Sequence, residues 1–211
     1  MKASLTFKLL ARIHEKRGRL VRVNRLVDLL VPLIGKDCSI LDVGCGDGSI
    51  GFLLGERLPR ARVWGADVLR RETALIPVTL LEGTSLPFPD DEFDFTILID
   101  VLHHVDNPTG LLAEAKRISR RGLIIKDHLL QGWLSSRLLS WMDRVGNERF
   151  GVSLPGNYLS ESQWEKAFAE LGLKKCFWKT DLKIYSFPLS WICDRSLHFI
   201  ARLERTHSAI A

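Results

Sequence analysis

The sequence predicts an α/β fold in which helices cover both faces of a doubly wound, mostly parallel sheet of seven strands with an antiparallel last strand. Short apolar runs alternate with helical patterns along most of the chain, which favours strand–helix–strand units. Glycines and polar residues follow directly after several of these runs, as they do where ligands bind at the strand ends of open sheets. With 211 residues, 46% of them hydrophobic, and no clear linker, we expect a single domain over residues 1–211.

The first predicted strand leads directly into a glycine-rich turn. An apolar run over residues 40–43 suits a strand that is buried on both faces of the sheet, and three glycines follow it at alternate positions: Gly44, Gly46 and Gly48. Because glycine has no Cβ, the backbone can turn sharply here and approach a ligand closely. A helical pattern over residues 50–58 continues the chain. The turn is therefore a candidate ligand-binding site.

The spacing and charge of this turn restrict the type of ligand. A dinucleotide site has the pattern G-x-G-x-x-G, but Ser49 stands where the last glycine of that pattern would be. Asp42 lies just before the glycines and Asp47 lies between Gly46 and Gly48, and two carboxylates would repel a pyrophosphate but would suit a cation. The turn thus favours a cationic cofactor over a dinucleotide.

The string LDVGCGDG at residues 41–48 resembles the first motif of class I S-adenosylmethionine-dependent methyltransferases. Their cofactor, S-adenosyl-L-methionine, has a sulfonium and an α-ammonium but no phosphate. The resemblance implies a Rossmann-like methyltransferase fold and is closest to the small-molecule branch, which shares the Leu-Pro-Phe and Leu-His-His strings of this chain. It also implies that the turn binds the cofactor through Asp42, Gly44, Cys45 and Gly46.

A second predicted strand over residues 62–66 ends at an acid. Asp67 follows it roughly 20 residues beyond the glycines, where a carboxylate can accept hydrogen bonds from the ribose hydroxyls of a cofactor. The resemblance implies that Asp67 holds the ribose and that Val68, the next residue, also contacts the cofactor. The alternative for Asp67 is a solvated aspartate at the end of a strand.

The third predicted strand, residues 78–82, is followed by a loop that departs from the family pattern. The family usually has Gly-Asp-Ala-x-x-Leu-Pro-Phe in this adenine-side loop, whereas this chain has Thr84 in place of the aspartate. A hydroxyl can accept only a neutral hydrogen bond from the adenine amino group. Thr84 and Ser85 are candidate cofactor contacts, and the alternative is that they make only turn contacts.

The fourth predicted strand, residues 93–99, carries polar residues to the same edge of the sheet. The resemblance implies that Asp100, or the backbone after it, lies near the methionine part of the cofactor. His103 or its neighbour His104 could take a proton near neutral pH, although each could instead be a packed or surface histidine. No Asn/Asp-Pro-Pro-Tyr string follows this strand, which disfavours the branch that methylates amino groups of nucleic acids.

A helix over residues 109–119 leads to the fifth predicted strand, residues 122–126, which ends at Asp127 and His128. The carboxylate could orient the imidazole as a general base, although neighbours in a strand point to opposite faces. His128 is therefore a candidate catalytic residue together with His103. The alternative is a structural hydrogen-bonding pair.

The segment over residues 129–159 is longer than the fold requires. Its apolar and aromatic residues predict a helical insertion that forms the lid and wall of an acceptor pocket, or else a helix that only covers the sheet. A capped helix over residues 160–171 and an antiparallel pair of strands at residues 175–179 and 196–203 complete the fold. The apolar connection 180–195 is expected to pack beside the insertion.

Residues 1–35 form an N-terminal helical extension that carries much of the basic charge. It could lie on anionic lipid or bind an acidic partner, but a helix that caps the pocket is favoured. The net charge is +5, yet the pocket segments are aromatic more than basic, so no stable nucleic-acid partner is expected. No apolar run reaches the roughly 18 residues of a membrane helix, so we expect a cytoplasmic protein, with peripheral membrane contact left open. We expect the four cysteines to be reduced thiols in the core and to form no metal site: Cys38, Cys45, Cys176 and Cys193.

Together these features predict an enzyme that transfers a methyl group from S-adenosyl-L-methionine to a small-molecule acceptor. The aromatic insertion favours a fairly apolar or aromatic acceptor, with oxygen slightly preferred over carbon or nitrogen as the methylated atom. A hydroxyl nucleophile would need a base, for which His128 and His103 are the candidates. Two alternatives stay open: a regulatory protein that binds the cofactor without catalysis, and an RNA methyltransferase, which should bind RNA strongly and in a salt-dependent way.

Overall fold

The computed structural model confirms the predicted α/β fold. It describes residues 5–131, 135–137, 139–140, 156–185, 190 and 196–206, and the side chains of residues 5–17 lie outside this description. The strands of its seven-stranded sheet are β1 (Ser39–Val43), β2 (Arg62–Asp67), β3 (Val78–Leu80), β4 (Phe93–Ile99), β5 (Ser119–His128), β6 (Leu173–Lys179) and β7 (His198–Arg205).

The order of the strands determines where a ligand can bind. They follow the order β3-β2-β1-β4-β5-β7-β6, in which β1 to β5 pair in parallel and β7 runs antiparallel to both β5 and β6. The chain extends from β1 to β3 on one side of the sheet and from β4 onward on the other, so the topological switch lies between β1 and β4. Ligands of open α/β sheets bind outside the carboxyl ends of the strands at this switch.

Helices flank the sheet, and two of them begin at side-chain caps. The predicted cap at Ser160 is a full capping box, because its hydroxyl accepts from the backbone N–H of Gln163 and the Gln163 side chain accepts from the backbone N–H of Ser160. Asn107 caps another helix by accepting from Gly110 N at 2.9 Å. The helices are α1 (Leu5–Leu30), α2 (Ser49–Arg57), α3 (Pro108–Ile118) and α4 (Glu161–Glu170), with 3-10 turns at Val31–Leu33 and Leu102–His104.

Two apolar cores lie on opposite faces of the sheet. On one face the C-terminal half of α1 packs with α2, and Leu26 and Ile40 are fully buried there. On the other face α3 and α4 contribute, and Leu112 and Leu41 are fully buried. Ile40 and Leu41 are neighbours in β1 and serve different cores, as the alternation of side chains along a strand requires. Both faces are buried, which explains why this strand is a continuous apolar run in the sequence.

Several predicted strand boundaries differ from the structure by one to three residues, and those of β3 and β5 matter for the site. β3 ends earlier than predicted because its pairing with β2 stops where Asp67 meets Leu80. β5 extends further in both directions and includes Asp127 and His128, because its antiparallel pairing with β7 continues to the pair His128 and His198. The candidate catalytic residue His128 is therefore held by sheet hydrogen bonding and not by a loop.

The predicted core thiols differ in burial. Cys38 and Cys45 are buried and carry free thiols, as expected. Cys176 is free but exposed, so the prediction of a core thiol is wrong there, because β6 is the outermost strand and pairs only with β7. Cys193 lies outside the described residues. Of the helices that the structure describes, none has both the length and the apolar character needed to span a bilayer.

The described parts of the insertion show how its ends are joined. Leu130 N donates to Leu159 O at 2.9 Å, and Leu129 N donates to Leu197 O at 2.8 Å. The predicted lid over residues 129–159 and the connection 180–195 otherwise fall largely outside the described residues. The ends of the insertion therefore lie at the carboxyl end of β5, beside the start of β7.

Candidate active site

The glycine turn after β1 has the conformation and the space that a closely approaching ligand needs. Gly44 and Gly46 have φ values of 70° and 60°, in the left-handed region that favours glycine. A Cβ on Gly44 would lie 2.4 Å from Val101 Cγ2, so that position has no room for a side chain. A Cβ on Gly46 would find only Arg71 Nη2, at 3.9 Å, among the described non-adjacent residues. The turn therefore leaves an open surface at Gly46.

Asp67 borders this open surface at the end of β2. Its Oδ2 accepts from Gly46 N at 2.8 Å, and its Oδ1 accepts from Leu69 N at 3.0 Å. These two bonds leave further acceptor sites on the carboxylate, which has about four lone-pair positions. Val68, the next residue, is 61% exposed. A fixed carboxylate beside an exposed apolar side chain suits a ribose with a flat, apolar base next to it.

Two predicted cofactor residues of the turn have side chains that face the protein. Asp42 is 2% exposed, and burial, with a smaller contribution from the charge of Asp67, raises its pKa to about 8. Cys45 Sγ lies 2.6 Å from where a Cβ on Gly65 would be, so this thiol packs against β2. Burial raises the pKa of Cys45 to about 12. Cys45 could therefore contact a cofactor only through its backbone, and Asp42 would act through its charge.

The loop after β3 is held at the same edge by α3. Thr84 is half-buried and Ser85 is exposed. Shortly after them, the Glu114 carboxylate accepts from Leu86 N at 3.0 Å and Arg117 donates to Leu86 O at 2.9 Å. Contacts from Thr84 and Ser85 to a cofactor stay predictions, made by a loop whose position is fixed.

Asp100 lies at the centre of a charged cluster where β4 ends. Its carboxylate forms ion pairs with Lys126 and Arg22, and its φ is 56°, which is unusual for a residue other than glycine. Burial alone would raise the pKa of Asp100, but these two cations outweigh it and hold the pKa well below its ordinary value. Lys126 is fully buried in β5, and its Nζ lies 3.2 Å from His198 Nδ1.

The two predicted catalytic histidines meet beside this cluster. His103 Nδ1 lies 2.6 Å from Asp127 Oδ1, and His128 Nδ1 lies 3.2 Å from His103 Nδ1. The Asp127 carboxylate is thus closer to the imidazole of His103 than to that of its sequence neighbour His128, whose Nδ1 is 3.5 Å away. The reason is the turn after β4, where Leu102 N donates to Asp127 Oδ2 at 3.0 Å and brings His103 over the end of β5.

Burial and mutual contact determine the charges of this group. Burial would raise the pKa of Asp127, but the neighbouring imidazoles of His103 and His128 lower it below its ordinary range. The pKa of His128 is lowered, mainly because the side chain is buried. At neutral pH Asp127 is therefore an ionised carboxylate and His128 a neutral imidazole. The cluster that they form with His103 is able to accept a proton.

The structure adds four residues to the site that the sequence did not single out. His198 lies opposite His128 in the β5–β7 register, with ring centroids 4.8 Å apart. It could have been identified from the sequence if the register of these two strands had been predicted correctly. Tyr158 stacks on His103 with a centroid distance of 5.7 Å. It belongs to the aromatic segment 129–159 that was predicted to form the wall of an acceptor pocket, but it was not a candidate site residue. The other two residues are the cations of the Asp100 cluster, Arg22 and Lys126.

Two groups at this edge have the residue types of metal ligands. The donor atoms of Asp100, His128 and His198, and those of His103, Asp127 and His128, lie within 4.8 Å of one another. In the first group the ammonium of Lys126 would oppose a cation. In the second group the 2.6 Å contact of Asp127 with His103 is a hydrogen-bond length, shorter than the spacing of roughly 3.3 Å between ligands around a tetrahedral metal. Both groups are better explained by hydrogen bonds and ion pairs.

The fold and the site together define a class of protein. The topological switch lies between β1 and β4, an open glycine turn follows β1, and a fixed carboxylate ends β2. Two acids, Asp100 and Asp127, gather with histidines at the ends of β4 and β5. A family profile described as a methyltransferase domain matches residues 13–176, and the chain belongs to that family. The resemblance seen in the LDVGCGDG string to class I methyltransferases is thereby confirmed.

Similarity to individual proteins agrees with this family. An uncharacterized methyltransferase of Schizosaccharomyces pombe is 30% identical over 111 residues, which cover 44% of this chain and 40% of that protein. A Haloferax volcanii protein solved in complex with a methyltransferase activator has a TM-score of 0.67 at 16% identity, covering 93% of this chain and 95% of that one. A SAM-dependent methyltransferase from Aquifex aeolicus has a TM-score of 0.57 at 20% identity, covering 84% and 88%. The chain spans half or less of the length of the curated relatives it matches, and the two structures show a shared fold.

Proposed function

We propose that this protein transfers a methyl group from S-adenosyl-L-methionine to a hydroxyl oxygen of a small, fairly apolar or aromatic molecule. The observation that carries the proposal is the buried contact of 2.6 Å between Asp127 and His103, with His128 beside it, at the strand edge that also holds the glycine turn. A hydroxyl must lose its proton when it is methylated, so this reaction needs a base at the acceptor side of the site.

The residues of the glycine turn fit the proposed cofactor. When bound, S-adenosyl-L-methionine supplies an electrophilic methyl carbon attached to a sulfonium. The open surface at Gly46 would let the backbone approach the cofactor, and the carboxylate of Asp67 would accept hydrogen bonds from the ribose hydroxyls. The exposed Val68 would cover part of the adenine. Asp42 would be ionised more easily beside a cation, because a nearby positive charge favours the carboxylate.

In this proposal His103 acts as the base, and Asp127 holds it in position. Because Asp127 contacts Nδ1 of His103, the basic nitrogen of this imidazole is Nε2. The imidazole would take the proton of the acceptor hydroxyl as the oxygen bonds to the methyl carbon, while the bond from that carbon to the sulfonium breaks and leaves a neutral thioether. The resulting imidazolium lies against the carboxylate of Asp127, which stabilises its charge. Both side chains are buried, so little water competes for the proton.

The residues around the histidines favour an apolar acceptor. Leu139, Tyr158 and Leu197 form a small buried cluster with Leu130 packed against it. Tyr158 joins this cluster to the histidines, since its ring stacks on that of His103. Apolar and aromatic walls with a few polar groups are typical of sites for small molecules. An acceptor with a ring and one hydroxyl would match this combination.

A direct test compares matched acceptors. Methyl transfer from labelled S-adenosyl-L-methionine should be measured for a set of phenols and for the anilines with the same ring. We expect the phenols to be methylated and the anilines to react much more slowly, because the amine needs no base and so gains nothing from His103. Transfer only to the anilines would contradict the proposal.

The same assay separates the alternative functions. Tight cofactor binding without transfer to any acceptor in the set would favour a regulatory role. Strong RNA binding that falls steeply with salt would favour an RNA methyltransferase. The proposal assigns no membrane or protein partner to α1, whose described arginines Arg19, Arg22 and Arg25 make contacts within the chain.

A further inference from the structure

A row of arginines on α1 crosses the edge of the sheet where the cofactor is proposed to bind. The helix is anchored by its C-terminal half, where Leu26 and Leu30 are fully buried. Before this anchor, Arg19 Nη1 lies 2.8 Å from Asp47 Oδ2, and Arg22 forms its ion pair with Asp100. The two arginines are three residues apart, so they lie on one face of the helix.

Both ion pairs lie at the glycine turn. Asp47 belongs to the turn itself, between Gly46 and Gly48. Asp100 is followed by Val101, whose side chain occupies the space beside Gly44 that a Cβ would otherwise fill. The contact of Arg22 with Asp100 therefore lies near the beginning of the turn, and that of Arg19 near its end. α1 spans the turn between them.

The charges of the proposed cofactor explain why arginines at this place matter. The amino-acid end of S-adenosyl-L-methionine has an ammonium, which the acids of this edge suit, and a carboxylate, which needs a cation. Lys126 is fully buried, forms an ion pair with Asp100 and contacts His198, so it is less accessible to a ligand than a cation with an exposed side chain. Arg22 is 28% exposed, and its Nε is buried without a hydrogen-bond partner among the described residues. It has both access to the site and an unused donor.

We propose that Arg22 binds the α-carboxylate of S-adenosyl-L-methionine by exchanging it for Asp100, and so fastens α1 over the bound cofactor. The exchange does not leave Asp100 unpaired, because Lys126 keeps its ion pair with this carboxylate. The freed side of Asp100 can then face the cofactor ammonium. Arginine suits this task because its planar guanidinium binds a carboxylate through two parallel hydrogen bonds. This inference rests on the cofactor assignment of the proposed function.

The test uses two ligands that differ only in the carboxylate: S-adenosyl-L-methionine and its decarboxylated form, which keeps the sulfonium and an ammonium. Calorimetry should show that the wild-type protein binds the complete cofactor roughly tenfold or more tightly, as expected for a hydrogen-bonded charge pair. In Arg22→Gln the two affinities should become nearly equal. Arg25→Gln is the matched control, since it removes the same charge one turn later on α1, where Arg25 donates to Lys183 O at 3.1 Å. It should keep the wild-type preference.

Other outcomes would overturn this inference without affecting the proposed function. An unchanged preference in Arg22→Gln would show that Arg22 does not bind the carboxylate. A preference that is kept in Arg22→Gln but lost in Arg71→Gln would assign the carboxylate to Arg71, which also lies beside the turn. Absence of cofactor binding by the wild-type protein would instead overturn the proposed function itself.

A second measurement avoids any variant that fails to fold. Amide hydrogen exchange of α1 in the wild-type protein should slow more with the complete cofactor than with the decarboxylated form, at equal saturation of the site. Equal protection by the two ligands would contradict the proposed fastening of α1.

Discussion

The proposed cofactor edge of the sheet, at β1 and β2, and the proposed acceptor edge, at β4, β5 and β7, are built in different ways. The cofactor edge depends on backbone: glycines with positive φ and a carboxylate that accepts from the turn. The acceptor edge depends on buried side chains that come from separate parts of the chain, such as His103, Asp127 and His198. A site built from consecutive backbone can be recognised in a sequence, whereas one assembled from distant side chains depends on how the elements meet.

Substitutions at the two edges should therefore have separate effects on cofactor binding and on methyl transfer. A substitution at the cofactor edge should weaken binding of S-adenosyl-L-methionine, and one at the acceptor edge should slow transfer while the cofactor still binds. Any variant that weakens cofactor binding and slows methyl transfer to the same extent would show that the site is not divided in this way.

The largest effect is expected from Asp127→Asn. The amide cannot stabilise an imidazolium as the carboxylate does, so the single-turnover rate of methyl transfer should fall by about 10²–10⁴-fold while cofactor affinity is unchanged. Asp106→Asn is the matched control, because Asp106 is an exposed acid just after the turn that carries His103, and its transfer rate should equal that of the wild type. Unchanged transfer in Asp127→Asn would remove the base from the proposal.

The second largest effect is expected from Gly44→Ala. The added Cβ would meet Val101 at 2.4 Å, and alanine is strained at a φ of 70°. We expect cofactor affinity to fall by roughly 10–100-fold, measured by calorimetry. Gly55→Ala in α2 is the control, since a Cβ there meets nothing within 4 Å and should raise stability by about 0.5–1 kcal/mol without changing binding. Equal affinities of the two variants would contradict a close approach at the turn.

Asp42 should make cofactor binding depend on pH. Its pKa in the free protein is raised to about 8, so the carboxyl is largely protonated at neutral pH. A cationic cofactor favours the ionised form, so binding releases a proton and affinity should rise with pH up to about 8, then level off. Asp42→Asn should flatten this profile. A wild-type profile as flat as that of the variant would show that the charge of Asp42 does not act on the cofactor.

Asp42 should also make the stability of the free protein depend on pH, and here a rise in pH lowers stability whereas it raises cofactor affinity. A carboxyl whose folded pKa lies above its unfolded value near 3.8 lowers the free energy of unfolding as pH rises from about 4 to about 8. Asp42→Asn should therefore stabilise the free protein by roughly 1–3 kcal/mol at pH 7 and by less at pH 4. Denaturant unfolding of both proteins at the two pH values measures the difference. A variant less stable than the wild type at pH 7 would contradict the raised pKa.

The smallest effect is expected from Thr84→Ala in the adenine-side loop. Loss of one neutral hydrogen bond should weaken cofactor binding by about two- to tenfold. Ser85→Ala tests the neighbouring candidate, and because Ser85 is exposed we expect the smaller change there. No change in either variant would mean that both hydroxyls make only turn contacts.

The difference between the two edges also explains how much could be predicted from the sequence. The sheet, its antiparallel last strand and the turn at residues 44–48 could be predicted because apolar periodicity and glycine spacing are local. The link between Asp127 and His103 could not, because it depends on a backbone bond from Leu102 that folds the turn after β4 over β5. The role of Lys126 could not be predicted for another reason. It follows directly on an apolar run in β5, and its burial is explained only by its ion pair with Asp100.

The measurement that tests the division of the site most directly is calorimetric titration of S-adenosyl-L-methionine into three proteins: wild type, Asp67→Ala and Asp127→Asn. We predict that wild type and Asp127→Asn bind with the same affinity, and that Asp67→Ala binds at least about tenfold more weakly, because it loses the carboxylate proposed to hold the ribose. Equal binding by all three proteins, or a loss in Asp127→Asn as large as that in Asp67→Ala, would contradict this account.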